Sequence, residues 1–249
     1  MPSRHPLITT VVFDLDDTLY DCYHQRVLAA HRRACRVLLR GNLRRALSKP
    51  LSLDQLYRLR LRLFREERNL ETLNLRLLHR LGLLGRPAAR LARLSHRAYF
   101  SLPVRRLRLF PDTLPTLRRL DRAGVHIFVL TAGYQHIQRA KARVLGLNRL
   151  PYVSGIFYTG LLRGRGKTSY LRRVLRVEPN RRRILVVGDR PDSEIRAARQ
   201  LGLWTVRRRG GEFARYEPQN RWERPHFTIR RLGQLFRLPF DFGTVKHRR

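Results

Sequence analysis

The sequence has few acidic residues, few lysines and few cysteines. Only 18 of its 249 residues are Asp or Glu, against 54 Lys and Arg, so the formal net charge is +36. The two cysteines, Cys22 and Cys35, have neither the spacing of a zinc site nor the number that a disulfide framework needs. This usage predicts a reduced, cytoplasmic setting.

Long apolar segments are also missing. The first apolar run begins at Leu7, so we expect no signal peptide before it. No uncharged apolar run approaches the roughly 20 residues that a membrane span needs. We therefore expect a soluble protein without a membrane partner, and with 43% hydrophobic residues the chain has enough apolar material for a folded core.

The positive charge comes almost entirely from arginine. There are 50 arginines and four lysines, namely Lys49, Lys141, Lys167 and Lys246. A basic surface attracts nucleic acids and other polyanions, so nonspecific binding of this kind is one expectation. The arginines are spread along the whole chain without a nucleic-acid module, and biased codon usage would produce the same pattern without a function. The pattern says nothing about oligomeric state.

Seven of the 18 acids, Asp21 among them, fall in two short segments, and the others are scattered. Residues 7–13 form an apolar, β-branched run, typical of a buried strand, and Asp14, Asp16 and Asp17 follow it. A second group, Asp189, Asp192 and Glu194, follows the apolar run 183–187. Carboxylates beside a core are unfavourable unless a cation or chemistry offsets the cost. Asp14 and Asp16 would point to the same side if the strand geometry continues, as a metal-assisted phosphoryl-transfer site requires.

The periodicity of the chain changes once. Residues 20–108 show helical spacing with few breakers, and the alternation at 59–63 is outweighed by neighbours that favour a helix. From residue 110 onward, helices alternate with strands, which predicts a parallel sheet. We therefore predict an α/β fold: a doubly wound core of residues 1–19 and 109–249, with an all-helical insertion at 20–108. Ligands of such sheets bind beyond the carboxyl ends of the strands. The predicted helices after the first motif cover 27–38, 70–81, 87–100, 112–122, 135–145, 167–176 and 193–201, and the predicted later strands cover 125–130, 183–187, 203–206 and 227–229.

Four motifs follow one another along the chain. Three of them lie at the ends of predicted strands, and the remaining one, Lys167, begins a predicted helix. They are Asp14-x-Asp16-x-Thr18, Thr131, Lys167 behind the loop 164–166, and the segment 188–194 with sequence Gly-Asp-Arg-Pro-Asp-Ser-Glu. Together they closely resemble the haloacid dehalogenase (HAD) superfamily, most of whose members are magnesium-dependent phosphatases. The helical insertion resembles the C1-type cap of that superfamily. The resemblance covers the chain from about residue 7 to about residue 236.

The resemblance implies roles for the catalytic residues. Asp14 would attack phosphorus and form an aspartyl-phosphate. Asp16 would be general acid to the leaving oxygen and then general base for the hydrolytic water. Thr131 and the backbone near Ala132 would bind the phosphoryl oxygens, and Lys167 would place a positive charge against the nucleophile and the phosphoryl group.

The resemblance also implies a Mg²⁺ site. Its ligands would be Asp14, the backbone carbonyl of Asp16, and Asp189, with several waters retained. Many family members have an aspartate at the position of Glu194. Glu194 would orient metal-bound water, while Asp192 is either its competitor for that role or the N-cap of the next helix.

Two other functions compete with a phosphatase. A 2-haloacid dehalogenase would use Asp14 against carbon, but that chemistry needs no general acid at Asp16 and no Mg²⁺. A catalytically inactive, polyanion-binding protein on this scaffold is the second alternative, and the intact motif positions disfavour it. A closing cap favours a small phosphorylated metabolite as substrate, and the sequence leaves its identity open.

Overall fold

The computed structural model describes residues 5–43, 51–67, 69–160 and 166–244. The chain divides into two compact units, one formed by Met1–Tyr23 with Val104–Arg249 and the other by His24–Pro103. The predicted helical insertion, 20–108, begins and ends a few residues outside the second unit. Part of the predicted loop 164–166 and the basic tail 246–249 lie outside the described residues.

The elements of the described chain are as follows. The strands are β1 (Leu7–Ile8), β2 (Thr10–Phe13), β3 (His126–Ala132), β4 (Val153–Thr159), β5 (Ile184–Gly188), β6 (Trp204–Arg208), β7 (Phe227–Ile229) and β8 (Asp241–Phe242). The α-helices are α1 (Leu28–Leu38), α2 (Leu53–Glu67), α3 (Leu70–Arg80), α4 (Gly85–Phe100), α5 (Thr113–Arg122), α6 (Gln135–Val144), α7 (Lys167–Val177) and α8 (Arg196–Gln200).

The first unit is built on a parallel sheet. Within the described residues, six of its strands pair in the order β4-β3-β2-β5-β6-β7, all parallel. The central strand β2 is buried along its length, and its Thr10 pairs with His126 of β3 and Ile184 of β5. The chain winds from β2 to one side and then crosses to β5 on the other, so the switch point lies between β2 and β5. This confirms the predicted doubly wound α/β fold.

Apolar side chains of the strands and of two flanking helices form the core of this unit. Val12, Val186 and Phe128 of the sheet are buried together with Leu171 of α7 and Ala198 of α8. Removing this apolar surface from water is the main favourable term that keeps the strands in register. The register in turn places the carboxyl ends of β2 and β5 side by side.

The helical unit has its own core and a buried polar network. Its apolar cluster includes Leu38, Leu56, Leu73 and Ala88, which come from four successive helices. Within the same unit lies Arg60 of α2, whose side chain is fully buried. A buried guanidinium needs hydrogen-bond acceptors, and the neighbouring helices provide them.

That network connects the four α-helices that the described residues of this unit form. Arg60 Nε donates to His31 Nδ1 of α1 at 3.0 Å, and another guanidinium nitrogen donates to the Asn74 side-chain carbonyl of α3. Ser95 of α4 donates to the same Asn74 oxygen at 2.8 Å. Helices α1 to α4 therefore each contribute one side chain to a single hydrogen-bonded group.

The structure differs from the predicted elements at the first strand. The run 7–13 is interrupted at Thr9, because Leu7 and Ile8 pair with Asp241 and Phe242 in a separate two-stranded sheet. Thr9 donates its hydroxyl to Glu178 at 2.6 Å at this break. The ambiguous segment 59–63 is helical, as predicted, within α2. In the described part of the chain, no helix is both long and apolar enough to cross a membrane.

Candidate active site

Asp14 and Lys167 form the centre of the candidate site. Asp14 directly follows β2, where its backbone N–H donates to Val187 of β5 at 2.8 Å. Lys167 is the first residue of α7, and its Nζ lies 2.5 Å from Asp14 Oδ1 and 2.6 Å from Glu194 Oε2. All three side chains are buried. The ammonium group therefore lies between two carboxylates in a site largely closed to water.

Burial strongly shifts the pKa of Asp14, and it acts on the pKa of Lys167 as well. Burial raises the pKa of Asp14 to about 7, an effect that Lys167 opposes and the carboxylates of Glu194 and Asp16 increase. Burial acts to lower the pKa of Lys167, but Asp14 and Glu194 outweigh it and leave that pKa above its ordinary value. The lysine therefore stays charged, and negative charge on the carboxylates is unfavourable without further positive charge.

Asp189 adds a third carboxylate. It follows β5, the neighbour of β2, and one oxygen each of Asp14, Asp189 and Glu194 lies within 4.8 Å of the others. Burial raises the pKa of Asp189 well above its ordinary value, and Glu194 and Asp14 add to the rise. Three ionised carboxylates beside one ammonium carry a net charge of about −2. An all-oxygen donor set of this charge fits Mg²⁺.

The side chain of Glu194 is fixed by its surroundings. Its Oε1 accepts the backbone N–H of Arg190 at 2.6 Å, while its Oε2 accepts from Lys167. It packs directly against Gly188, where a Cβ would come within 2.3 Å of the Glu194 side chain. Only glycine fits at this position without moving Glu194 out of the cluster.

Asp192 lies in a different environment from Glu194. It accepts two hydrogen bonds from the Arg190 guanidinium, at 3.2 and 3.1 Å, and it is absent from the carboxylate cluster. The proposed cap role of Asp192 is wrong, because the turn Pro191–Ile195 has Arg190 at its N-cap and no side-chain cap bond there. The Arg190 side chain also lies over the Phe213 ring, at 4.4 Å.

Asp16 is held by residues that the sequence analysis did not select. Its Oδ2 accepts from Lys141 Nζ at 2.6 Å and from Gln138 Nε2 at 3.2 Å, and its Oδ1 accepts from the Tyr20 hydroxyl at 2.7 Å. Burial acts to raise the pKa of Asp16, but the Lys141 charge and these hydrogen bonds lower it below its ordinary value. Lysine is rare in this chain, and that rarity is a sequence signal that could have found Lys141.

Asp17 stabilises the loop after β2 through hydrogen bonds. Its backbone is left-handed, with φ of 56°, and its carboxylate accepts the backbone N–H groups of Tyr23 at 2.8 Å and Glu212 at 3.1 Å. The Arg208 guanidinium donates to the Asp17 carbonyl at 2.8 Å. Asp17 is thus committed to loop structure, and the cluster with Asp14 does not include it.

The predicted phosphate-binding residues lie at the end of the adjacent strand. β3 pairs with β2 up to Val129 opposite Phe13 and then continues to Ala132. Thr131 is buried and Ala132 is exposed, and the Ala132 carbonyl accepts from Gln138 at 2.9 Å. Both residues therefore lie at the carboxyl end of β3, the strand next to β2, which Asp14 directly follows.

A family model for haloacid dehalogenase-like hydrolases matches residues 8–202. The matched region contains both acidic segments, Thr131 and Lys167. The chain therefore belongs to the haloacid dehalogenase-like hydrolase family, which confirms the resemblance drawn from its motifs and makes it a hydrolase.

Two curated relatives cover nearly the whole chain. It is 29% identical over 230 residues to a protein named glyceraldehyde 3-phosphate phosphatase from Methanopyrus kandleri, which covers 92% of this chain and 96% of the relative. A protein of the same name from Methanocaldococcus jannaschii is 25% identical over 233 residues, with the same coverage of both chains. The relatives are thus phosphatases by name.

Among solved structures, the magnesium-bound crystal structure of YfnB from Bacillus subtilis has the same fold. It superposes with a TM-score of 0.58 at 22% identity and covers 92% of this chain and 97% of that one. This similarity supports the α/β HAD fold.

Proposed function

We propose that the protein is a Mg²⁺-dependent phosphatase that hydrolyses a small phosphomonoester through an aspartyl-phosphate on Asp14. The observation that supports this most directly is the buried cluster of Asp14, Asp189 and Glu194 around the Lys167 ammonium. A buried group with excess negative charge is stable only when it binds a cation, and the phosphatase relatives agree with the chemistry that such a cation assists.

The chain's own residues have distinct roles in the proposed reaction. An Asp14 carboxylate oxygen forms a bond to phosphorus while the bond from phosphorus to the ester oxygen breaks. Asp16 is ionised in the free site, so it first takes up a proton from solvent, gives that proton to the leaving oxygen and later takes a proton from the water that cleaves the aspartyl-phosphate. Thr131, the backbone at Ala132, and Lys167 bind the phosphoryl oxygens.

Bound Mg²⁺ would neutralise the carboxylates and the phosphoryl charge. Asp14, the Asp16 backbone carbonyl and Asp189 would hold it, and Glu194 would orient a bound water. In this arrangement Asp192 has no part, because its carboxylate is paired with Arg190.

The names of the relatives suggest where to begin with the substrate. Both are called glyceraldehyde 3-phosphate phosphatases, so a three-carbon sugar phosphate is the first compound to test. Other small sugar phosphates, phosphoglycolate and nucleoside monophosphates complete the panel. The carboxyl group of Asp16 favours this reaction over dehalogenation, which has no use for an acid at that position.

The test is phosphate release from this panel by purified protein, with Mg²⁺ and with excess chelator. We expect turnover with Mg²⁺, none with chelator, and none from Asp14→Asn, because the isosteric amide cannot attack phosphorus. A thermal melt of Asp14→Asn should show a folded protein. Full activity in chelator, or near-normal activity of folded Asp14→Asn, would refute the mechanism, and chloride release from 2-haloacids without metal would establish the dehalogenase instead.

A further inference from the structure

Lys141 is a buried cation outside the Asp14 cluster. It lies on α6, its side chain is only 5% exposed, and its Nζ contacts Asp16 Oδ2 at 2.6 Å and Cys22 Sγ at 3.8 Å. Burying an ammonium is unfavourable unless a carboxylate pairs with it, and Asp16 is the carboxylate that does so here. A chain that uses arginine almost everywhere has a lysine at this point, where a compact charge is needed between two side chains.

Two further hydrogen-bond donors, Gln138 and Tyr20, fix the position of the same carboxylate. Gln138, one turn before Lys141 on α6, bridges Asp16 Oδ2 and the Ala132 carbonyl at the end of β3. Tyr20, fully buried, holds the opposite oxygen of Asp16. The Asp16 side chain is 31% exposed, so without these donors it would be free to rotate into water.

We propose that Lys141 is a positioning residue for Asp16. Together with Tyr20, Lys141 fixes the Asp16 carboxyl group in the orientation required for proton transfer to the leaving oxygen. This inference rests on the proposed phosphatase function and specifies how its acid is aligned. A shift of about 1 Å in a reacting group can lower the rate about 10²-fold, so loss of the hydrogen bonds that position Asp16 should have a measurable effect on turnover.

Substrates whose leaving groups differ in their need for a proton can distinguish a positioning role of Lys141 from a merely structural one. An alkoxide leaves phosphorus only with help from a proton, whereas a nitrophenolate leaves without it. The comparison uses kcat/KM, which reports the steps up to release of the leaving group. Lys141→Met should lower kcat/KM for the best alkyl phosphate of the panel by about 10- to 100-fold, a share of the 10²–10⁴ that a positioned acid contributes. It should lower kcat/KM for 4-nitrophenyl phosphate by less than about threefold.

Matched variants control the experiment. Tyr20→Phe keeps the buried ring and removes only the donor to Asp16 Oδ1, so it should show the same selectivity with a smaller loss, and it tests the proposal even if Lys141→Met does not fold. Asp16→Asn should show the selectivity in its strongest form. Arg143→Met removes an exposed cation from the same helix and should leave both substrates unaffected.

The outcomes distinguish the two proposals. If the wild-type protein hydrolyses both esters but folded Lys141→Met and Tyr20→Phe lose equal factors on both, or lose nothing, the positioning role is wrong and the phosphatase assignment stands. If the wild-type protein hydrolyses neither ester with Mg²⁺, the proposed function fails, and this inference fails with it.

Discussion

At the residue scale, two acids of one short turn have different chemical surroundings. Glu194 contacts Lys167 and the Arg190 backbone and lies against Gly188, whereas Asp192 pairs with the Arg190 side chain. The sequence placed both acids just beyond the same strand and could not separate them. The separation comes from the backbone path of the turn Pro191–Ile195, which no spacing rule for an ordinary helix describes.

This difference predicts different responses to Mg²⁺. Glu194→Gln keeps an oxygen for the Arg190 N–H but loses the charge, so it should weaken apparent Mg²⁺ affinity about 10- to 100-fold, with much of the rate restored by excess Mg²⁺. Asp189→Asn should resist such rescue, because it removes a direct ligand. The measurement is turnover as a function of Mg²⁺ concentration for each variant.

Asp192→Asn is the matched control for that titration. It removes a charge from the same turn, where the carboxylate is bound by Arg190 and lies outside the cluster, so the Mg²⁺ midpoint should stay at the wild-type value. If Asp192→Asn shifts the midpoint while Glu194→Gln does not, the assignment of Glu194 to the metal site is wrong.

At the scale of elements, much of the fold could be predicted because each helix and strand has a strong local pattern. Strand β5 and helix α7 have nearly the predicted bounds. The two-residue strand β8 was missed, because so short a segment has no periodicity to detect, and β1 was predicted only as part of one continuous strand 7–13. The candidate nucleophile and the buried lysine beside it were also predicted, since they belong to ordered motifs.

The surroundings of Asp16 could not be predicted from local patterns. Helix α6 was expected, but Lys141 is 125 residues from Asp16 in sequence, and nothing in a helical pattern specifies a partner at that distance. Only the packing of α6 against the sheet determines this contact. The same limit applies to Arg60, whose place in a leucine-rich helix gives no indication of its acceptors, His31 and Asn74, on two other helices.

The network that joins the four helices of the helical unit makes their stability depend on pH. Burial, with the neighbouring Arg60 charge, lowers the pKa of His31 to about 2, so the folded protein keeps this imidazole neutral. The unfolded chain binds a proton at His31 below its ordinary pKa of about 6.5. Because the unfolded state then binds more protons, this residue reduces stability as pH falls, by about 1.4 kcal/mol per pH unit well below 6.5.

His31→Gln tests this contribution. Glutamine offers Arg60 an acceptor oxygen but does not titrate, so the variant should lose less free energy of unfolding than the wild type between pH 7 and pH 5. Urea unfolding at several pH values measures the difference, and all other titrating groups are common to both proteins. Identical pH dependence in the two proteins would show that His31 is accessible to protons in the folded state.

At the scale of the whole molecule, the protein has a net charge of +36, and its proposed substrate is an anion. Such a field raises the local concentration of phosphate esters and speeds their encounter with the protein. Salt screens it, since the Debye length falls from about 30 Å at 0.01 M to about 3 Å at 1 M. The arginine-rich surface would then affect substrate capture without contacting the reacting atoms.

We therefore expect kcat/KM for a phosphomonoester to fall by about tenfold or more between 0.01 and 1 M NaCl, with kcat nearly constant. Initial rates at fixed free Mg²⁺ give both constants, and sucrose at matched osmolality serves as the uncharged control. An unchanged kcat/KM would mean that the arginines exert no field at the site, and a parallel fall in kcat would indicate damage to the site itself.

The central position of β2 has a consequence for how the chain folds during synthesis. Thr10 lies near the start of the chain, but its neighbours in the sheet are His126 and Ile184. Pairing between segments so distant in sequence has a high entropic cost of loop closure and is slow. Because synthesis proceeds from the N-terminus, the apolar strand that carries Asp14 must wait for the ribosome to reach β5. Both of its edges are unpaired until β3 is made, and one edge stays unpaired until β5 follows, which leaves a hydrophobic segment of the kind that chaperones bind.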